Sequence, residues 1–303
     1  MKQRTVIVVA GPTAVGKTAL SIRLAQHFGT AIISADSRQC YKEMSIGTAK
    51  PSPEELATVP HYFIDSHSVN ESLNARDFEH LALGYLHQIF STNDVAIVCG
   101  GTGLYIKALC EGIDDMPDTD RQIEEEIQRQ FREMGLEWLQ EQLRQKDPEF
   151  FAQAEQQNPV RLIRALAFFE SNKESIMRYR KAQAKPRDFK VIKIALNLPR
   201  EVLYTRINRR VDLMMQQGLL QEVSSLYTLR HLKNLQTVGY SEFYEAGPFP
   251  LGEEQLAQAV DKVKQHTRNY AKRQLTWLKK DKEFAWFAPD EWDAVTAYIK
   301  SNL

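Results

Sequence analysis

The sequence predicts an α/β fold in which helices flank a parallel sheet and an all-helical domain is inserted. In the first third of the chain, short continuous apolar runs alternate with longer segments of helical periodicity. Continuous apolar runs are typical of strands that are buried on both faces by crossover helices, as in parallel sheets. Between residues 111 and 186 this strand pattern disappears, and proline residues separate helical segments instead.

The predicted elements follow one another in a regular order. The predicted strands comprise residues 5–10, 31–34, 61–65, 95–99 and, rejoining the sheet after the insertion, 191–196. Helices are predicted at residues 17–28 and about 74–90. A capping box at residues 119–122 predicts the start of the first inserted helix. The remainder is expected to be mostly helical, with a late apolar segment at residues 284–287.

This pattern predicts two domains. Residues 1–110 and 187–303 are expected to form the core domain, whose C-terminal helical part is basic, and residues 111–186 the helical insertion domain. A chain of 303 residues is long enough for two moderate domains. Its 43% hydrophobic and 26% charged residues are ordinary for a globular protein with a full core.

Charge and cysteine content exclude several classes of protein. Lys and Arg number 39, as do Asp and Glu, so the net charge indicates no partner. Three cysteines without a C-x-x-C motif fit a reducing compartment, and the seven histidines form no zinc-binding pattern. Because no apolar run approaches 18 residues and the first one is too short for a signal peptide, we expect a cytoplasmic protein.

A glycine-rich loop follows the first predicted strand. Residues 11–18 read G-P-T-A-V-G-K-T and fit the pattern G-x-x-x-x-G-K-[ST], between a strand and a helix. The loop amides and the helix N-terminus can bind anionic oxygens, and a Thr hydroxyl here can bind Mg²⁺. The pattern predicts a P-loop NTPase-like core that binds a polyphosphate through Gly11, Thr13, Ala14, Val15, Gly16, Lys17 and Thr18.

The bound polyphosphate need not be ATP. Phosphoryl-transfer enzymes of this architecture usually carry an acidic, metal-binding residue at the end of another core strand. Here the strand at residues 95–99 ends in G-G-T-G, residues 100–103, which is either a second turn rich in amide donors or only a tight turn.

Two charged side chains near the predicted site have alternative interpretations. Asp36 follows the second strand and is either a general base or metal-shell residue, or a cap of the next turn. Lys50, in the segment G-T-A-K-P, either adds positive charge near the site or is solvated.

Six motifs in this order resemble the bacterial tRNA dimethylallyltransferases: G-P-T-A-x-G-K-T, D-S-x-Q-x-Y, G-T-A-K-P, G-G-T-G-L-Y, N-P-x-R-x-x-R-A-L and A-K-R-Q-x-T-W. The match extends from Val6 to about Asp281. The resemblance implies transfer of a dimethylallyl group from dimethylallyl diphosphate to the exocyclic N6 amine of the adenosine 3′-adjacent to the anticodon in tRNA. The products are isopentenyladenosine and diphosphate, and the missing acidic strand end agrees with this chemistry.

The resemblance also implies roles for individual residues. Asp36 corresponds to the base, Thr102 to a position near the reacting amine, and Lys17 to a cation that neutralises the leaving diphosphate together with Mg²⁺ bound by Thr18. Arg210 corresponds to a diphosphate clamp, with a solvated helix arginine as the alternative. The residues implied in tRNA binding are Asp36, Ser37, Arg38, Gln39, Arg161, Arg164, Lys272 and Arg273.

The tRNA contacts have some support from the residues themselves. Arg161 and Arg164 are three residues apart and share a helix face, which suits phosphate contact; a surface salt-bridge pair is the alternative. Residues 261–282 hold eight Lys or Arg against two acids, with Tyr270 and Trp277 interleaved, as in nucleic-acid-binding helices. Trp277 is expected to be part of the core.

Four departures from the family pattern and three rival functions remain. An arginine that is usual near the start of the insertion is out of register, because Arg121 lies about three residues early, and the C-terminal zinc finger of eukaryotic members has no counterpart in this sequence. Val15 replaces the usual Ser and Val160 the usual Gln, so one phosphate contact and one tRNA contact are in doubt. The rivals are an adenylate isopentenyltransferase acting on free nucleotide, a small-molecule P-loop kinase and a non-catalytic RNA-binding protein. The helical insertion and the basic segment favour tRNA. We expect a monomer whose partners are tRNA and dimethylallyl diphosphate.

Overall fold

The computed structural model describes residues 3–180 and 183–303. One six-stranded sheet has the order β3-β2-β4-β1-β5-β6, and every neighbouring pair is parallel. The strands are β1 (Thr5–Ala10), β2 (Ile32–Ser34), β3 (His61–Tyr62), β4 (Val95–Gly100), β5 (Lys190–Leu196) and β6 (Ala285–Phe287). The predicted parallel sheet flanked by helices is confirmed.

Twelve α-helices are present in the described part of the chain. They are α1 (Lys17–Phe28), α2 (Pro53–Thr58), α3 (Ala75–Ile89), α4 (Gly103–Glu111), α5 (Arg121–Lys146), α6 (Pro148–Gln153), α7 (Pro159–Asn172), α8 (Arg200–Gln216), α9 (Leu219–Ser225), α10 (Ser241–Ala246), α11 (Glu253–Leu278) and α12 (Trp292–Ser301). None of the helices within these residues is long and apolar enough to cross a membrane.

Strand β1 lies in the middle of the sheet and is buried along its whole length. Val6 and Val8 belong to one hydrophobic cluster, and Ile7 and Val9 belong to another. Since successive side chains of a strand point to opposite faces, helices must cover the sheet on both sides. The continuous apolar run of β1 follows from this arrangement.

The sheet differs from the predicted one at its two edges. Strand β3 ends at Tyr62 rather than at residue 65, because Phe63 and Asp65 have φ angles of 62° and 50°, in the left-handed region that no strand adopts. The late apolar segment forms β6, an unpredicted strand in which Ala285 pairs with Ile194 of β5.

The chain divides into two compact units. One comprises Met1–Glu111 and Pro186–Leu303, and the other comprises Gly112–Lys185, so each boundary lies one residue from the predicted one. In the helical unit, α5, α6 and α7 enclose a separate hydrophobic cluster that includes Leu143, Phe150 and Leu166.

The first helix of this unit starts and bends at identifiable residues. Asp120 is the N-cap of α5 and accepts hydrogen bonds from the amides of Gln122 and Ile123. The predicted capping box at Thr119 is therefore wrong, because the carboxylate one residue later satisfies those amides. Gly135, with φ 80° and ψ −171°, interrupts the helical conformation of α5.

Candidate active site

The phosphate loop, residues 11–18, connects β1 to α1 at the carboxyl edge of the sheet. Ala14 and Gly16 have φ angles of 64° and 114°, and this left-handed backbone curls the loop. Gly16 is the N-cap of α1 and has no side chain to occupy the first amides of the helix. The amides at the start of α1 are thus left to an anionic ligand, at the end of the helix where the dipole favours negative charge.

Two cations, Lys17 and Arg210, lie near this loop, and the carboxylates of Asp36 and Glu55 influence them without forming an ion pair. Lys17 Nζ donates to the carbonyl oxygen of Pro12 at 2.8 Å. Burial lowers the pKa of Lys17 to about 8; the charge of Arg210 lowers it further, whereas Cys99 and Asp36 raise it. Burial also lowers the pKa of Arg210. Since neither side chain forms an ion pair within the described residues, a bound anion is their chemical complement.

Gln274 of α11 contacts the phosphate loop and was not predicted as a site residue. Its Oε1 accepts a hydrogen bond from the amide of Thr13 at 2.9 Å. The predicted contact of Thr13 with diphosphate therefore cannot use its amide as the loop now stands, and only its hydroxyl remains. The signal for Gln274 was present in the motif A-K-R-Q-x-T-W, but no pattern in the sequence indicates which partner the Gln contacts.

A second unpredicted contact comes from α8. Arg206 Nη1 donates to the carbonyl oxygen of Val15 at 3.3 Å. Arg206 and Arg210 are four residues apart and so share the face of α8 that approaches the loop. The Val15 side chain itself is fully buried and packs in the core.

Asp36 lies just beyond β2, at the same edge of the sheet. Its Oδ1 accepts hydrogen bonds from the amides of Arg38 at 2.9 Å and Gln39 at 3.3 Å. Its Oδ2 accepts none within residues 3–180 and 183–303. The turn-cap interpretation therefore holds for one oxygen of the carboxylate, and the second oxygen is available to a substrate.

Thr102 joins the end of β4 to the end of β2. Its Oγ1 accepts from the amide of Ser37 at 3.1 Å and donates to Ser37 Oγ at 3.4 Å, while its amide donates to the carbonyl oxygen of Ala35 at 3.2 Å. A Cβ at Gly100 would lie 2.2 Å from that same oxygen of Ala35. The glycine turn, residues 100–103, is therefore required for close approach of the two strand ends, which brings Thr102 beside Asp36 and Ser37.

Helix α11 packs directly over the glycine turn. Gln274 Nε2 donates to the carbonyl oxygen of Gly101 at 3.0 Å, and a Cβ at Gly103 would lie 2.2 Å from the Trp277 ring. Burial raises the pKa of Tyr270 to about 12; the charge of Asp36 adds to this, and a hydrogen bond with Thr102 opposes it. Trp277 packs partly buried against the core, as predicted.

The other residues implied in tRNA binding within this unit differ in their surroundings. Arg38 Nη1 donates to Asn234 Oδ1 at 3.2 Å. Gln39 accepts from Ser34 Oγ and donates to the carbonyl oxygens of residues 48 and 49, so its amide group is already satisfied inside the protein. Lys272 and Arg273 are exposed, and the Arg273 guanidinium lies 5.6 Å from the centre of the Tyr270 ring.

Lys50 has neither of the two roles considered from the sequence. Its side chain is only 6% exposed, and Nζ donates to the carbonyl oxygen of Tyr41 and to Asp65 Oδ1, both at 2.5 Å. Nearby, the Glu222 carboxylate accepts hydrogen bonds from the amides of residues 45, 46 and 47. The segment G-T-A-K-P is thus held in place by buried charge and does not supply a free cation.

In the helical unit, the predicted arginines lie on α7. Arg161 and Arg164 are both exposed, and Arg161 Nη1 pairs with Glu155 Oε2 at 2.9 Å. Burial lowers the pKa of Arg180, and the charges of Arg164 and Arg161 lower it further, so the three guanidinium groups are close together. Arg161 therefore forms a surface salt bridge, with Glu155, whereas Arg164 forms none within the described residues.

The side-chain oxygens at the phosphate loop could bind Mg²⁺ only together with the oxygens of a phosphorylated ligand. No cluster of three or more His, Cys, Asp or Glu side chains suitable for a metal occurs in the described ranges. The Thr18 hydroxyl makes no hydrogen bond within those ranges and is free to act as a ligand. Magnesium usually takes one or two protein oxygens together with substrate phosphates and water.

The sheet order, the glycine loop and the enclosed cations define a class of α/β protein. Strands β2, β3 and β4 lie on one side of β1, and β5 and β6 lie on the other. Proteins of this class bind ligands at the carboxyl ends of the strands, where the strand order reverses. The loop and its two cations are chemically suited to an anionic ligand at that position.

Comparison with known proteins identifies the family. The family model described as IPP transferase matches residues 39–281, and the chain belongs to that family. The tRNA dimethylallyltransferase of Cytophaga hutchinsonii is 46% identical over 298 residues, which are 98% of this chain and 97% of the relative. That of Bacteroides fragilis, designated tRNA dimethylallyltransferase 1, is 41% identical over 303 residues, 100% of both chains.

Solved structures are similar over almost the whole chain. The full-length tRNA isopentenylpyrophosphate transferase of Bacillus halodurans is 34% identical with a TM-score of 0.70, covering 99% of this chain and 95% of that one. A eukaryotic dimethylallyltransferase, solved acting on tRNA, is 27% identical with a TM-score of 0.76, covering 99% of this chain and 79% of that one.

Proposed function

We propose that this protein transfers a dimethylallyl group from dimethylallyl diphosphate to the N6 amine of the adenosine 3′-adjacent to the anticodon in tRNA. One observation carries the proposal. Two partly buried cations that form no ion pair within the described residues lie at the phosphate loop, and Asp36 presents a carboxylate oxygen without a hydrogen-bond donor among those residues at the end of β2. An anionic leaving group and a proton acceptor are the two components that alkylation of an amine requires. The names of the relatives supply the substrate class.

The loop side suits a diphosphate that departs. When the bond between the allylic carbon and the diphosphate oxygen breaks, its electron pair and the negative charge go to diphosphate. Lys17, Arg210 and the amides at the start of α1 stabilise that charge in a site where burial strengthens electrostatic interactions. A bound Mg²⁺ would supply additional positive charge, and Thr18 is the residue proposed to hold it.

The strand-end side suits an amine that loses a proton. The adenine amine is a poor nucleophile because its lone pair is delocalised into the ring. As the new carbon–nitrogen bond forms, Asp36 Oδ2 accepts the proton, while Oδ1 stays bonded to the amides of Arg38 and Gln39 and fixes the carboxylate. The hydroxyl of Thr102, held by Ser37, is proposed to orient the amine.

For tRNA binding we propose Arg161 and Arg164 in the helical unit, together with Ser37, Arg38, Lys272 and Arg273 in the other unit. Gln39 is not part of this proposal, because its amide group already bonds to Ser34 and to the carbonyl oxygens of residues 48 and 49. Exposed guanidinium and ammonium groups are suited to phosphate contact. We further propose that the protein acts in the cytoplasm, since its proposed substrate is tRNA, and that it acts as a monomer.

The rival functions are less well supported. An adenylate isopentenyltransferase would use the same chemistry on a free nucleotide, but a compact nucleotide does not require the exposed arginines of α7. A kinase of this architecture usually needs an acidic residue at a second strand end, where this chain has Gly100 and Gly101.

The decisive test is incubation with radiolabelled dimethylallyl diphosphate, Mg²⁺ and either unmodified tRNA or AMP. We expect label in tRNA alone. Label in AMP would retain the chemistry but change the acceptor. If neither acceptor were labelled and a parallel incubation with ATP and Mg²⁺ showed ATP hydrolysis, the kinase would replace this proposal.

A further inference from the structure

Gln274 connects the two turns between which the proposed reaction takes place. Its Oε1 accepts the amide proton of Thr13 in the phosphate loop at 2.9 Å. Its Nε2 donates to the carbonyl oxygen of Gly101 in the glycine turn at 3.0 Å. One turn follows β1 and the other follows β4, so a single side-chain amide spans the ends of two neighbouring strands.

The amide group is buried and tightly enclosed. Gln274 is 7% exposed, and a Cβ at Gly101 would lie 2.1 Å from its Nε2. Burying a polar group is unfavourable unless it is hydrogen-bonded, and an apolar side chain of similar length could fill the same space. What the amide adds over an apolar side chain is therefore a defined distance between Thr13 and Gly101.

Helix α11 carries this amide on the face that packs against the glycine turn. Tyr270, Gln274 and Trp277 lie four and three residues apart, so they share one face of a helix of 26 residues. Tyr270 contacts Thr102, and the Trp277 ring packs against Gly103. All three side chains of this face thus reach the glycine turn, and only Gln274 also bonds to the phosphate loop.

We propose that Gln274 is a positioning residue that sets the separation between the donor-binding loop and the acceptor-binding turn. The inference rests on the proposed function. Diphosphate would be held by the phosphate loop, and the amine would be held beside Thr102, in the glycine turn. A displacement of about 1 Å between reacting groups can lower the rate about 100-fold, even when each substrate still binds.

The test compares Gln274→Met with a matched control, Gln258→Met. Methionine has nearly the length of Gln and no amide, while Gln258 is an exposed residue of the same helix whose side chain donates to Glu254 Oε1. For Gln274→Met we expect kcat to fall about 10- to 100-fold, with the Kd for inorganic pyrophosphate and the Kd for tRNA close to the wild-type values. The Tm should fall by several degrees at most, because the amide of Thr13 and the carbonyl oxygen of Gly101 each lose one hydrogen bond. The control should match the wild type in all four.

Two results would overturn the inference. One is a Gln274→Met enzyme with kcat within twofold of the wild type. The other is a parallel loss of Tm and of both affinities, which would indicate a general structural role. If wild-type enzyme itself transferred no dimethylallyl group to tRNA, the proposed function would fail instead, which distinguishes the two failures.

A second variant tests the same connection from the other side and leaves Gln274 unchanged. In Gly101→Ala the new Cβ displaces Nε2 from the carbonyl oxygen that it now bonds. We expect the same combination of reduced kcat and retained affinities. Turnover at the wild-type level in this variant would contradict the inference even if Gln274→Met failed to fold.

Discussion

Lys17 and Arg210 are cations enclosed around the phosphate loop, whereas Arg161 and Arg164 are exposed on α7 of the helical unit. Enclosed charge is costly to desolvate, and in this protein no carboxylate within the described residues offsets that cost by an ion pair. Exposed charge is free of the cost and is screened by salt. The first arrangement suits one compact anion held firmly, and the second suits a long polyanion held by several weak contacts.

Asp36→Asn should have the largest effect, because it removes the proton acceptor of the proposed reaction. Asparagine can still accept from the amides of Arg38 and Gln39, so the turn should persist. We expect turnover to fall by about 10²–10⁴-fold, with the Kd for tRNA nearly unchanged. Single-turnover transfer and filter binding would measure the two quantities.

Asp188→Asn is the control for this substitution, since Asp188 is 77% exposed and forms a surface ion pair with Arg4. Turnover of Asp36→Asn at half the wild-type rate or more would reduce the role of Asp36 to a turn cap.

Arg210→Ala tests the enclosed region directly. Hydrogen bonds to charged groups contribute about 1.5–3 kcal/mol each, so we expect the affinity for dimethylallyl diphosphate to fall about 10- to 100-fold. The affinity for tRNA should not change. Arg209→Ala is the matched control, because Arg209 is the exposed neighbour on the same helix. Equal effects of the two substitutions in titration calorimetry would favour a solvated helix arginine over a diphosphate clamp.

Local sequence patterns were sufficient to predict the strand and the helix that flank the phosphate loop. They did not predict the Gln274 side chain that connects this loop to the glycine turn. The bounds of β1 and α1 are those predicted, because apolar continuity and the glycine loop are encoded in consecutive residues. Gln274 was missed because its role depends on the packing of α11 against two distant turns. Strand β6 was missed for a similar reason, since three residues become a strand only by pairing with β5.

Two charged residues near the site show what spacing along the chain leaves undetermined. For Asp36 the sequence suggests a base or a cap, and the two oxygens of one carboxylate permit both. For Lys50 it suggests a site cation or a solvated side chain, and the ion pair with Asp65 excludes both. Each outcome depends on which atoms lie nearby in the folded chain, and the order of residues in a short motif does not contain that information.

The low pKa of Lys17 predicts a pH dependence for donor binding. The free enzyme loses the Lys17 charge as pH rises through about 8, and a bound diphosphate favours the charged form. The affinity for the diphosphate donor should therefore be highest well below about pH 8 and should fall as pH rises through that value. The expected decrease is up to roughly eightfold between pH 7.5 and 9. The terminal phosphate of the donor has a second pKa of about 6 and therefore does not titrate between about pH 7.5 and 9.

Lys17→Arg provides the control for this prediction, because arginine stays protonated throughout the range. Its affinity for dimethylallyl diphosphate should be lower but independent of pH between about 7.5 and 9. A wild-type affinity that stays constant across this window would mean that Lys17 is not the group that titrates.

Arg161→Ala combined with Arg164→Ala tests the exposed region and should have the smallest effect at low salt. If each guanidinium contacts one phosphate of a single-stranded segment, the slope of log Kd against log salt should become shallower by about 1.4. Arg129→Ala is the control, since Arg129 lies in the same unit but already pairs with Glu126 and Glu133. Filter binding at several salt concentrations measures the slope. An unchanged slope would mean that neither arginine contacts a phosphate of tRNA and that Arg161 serves its surface pair with Glu155.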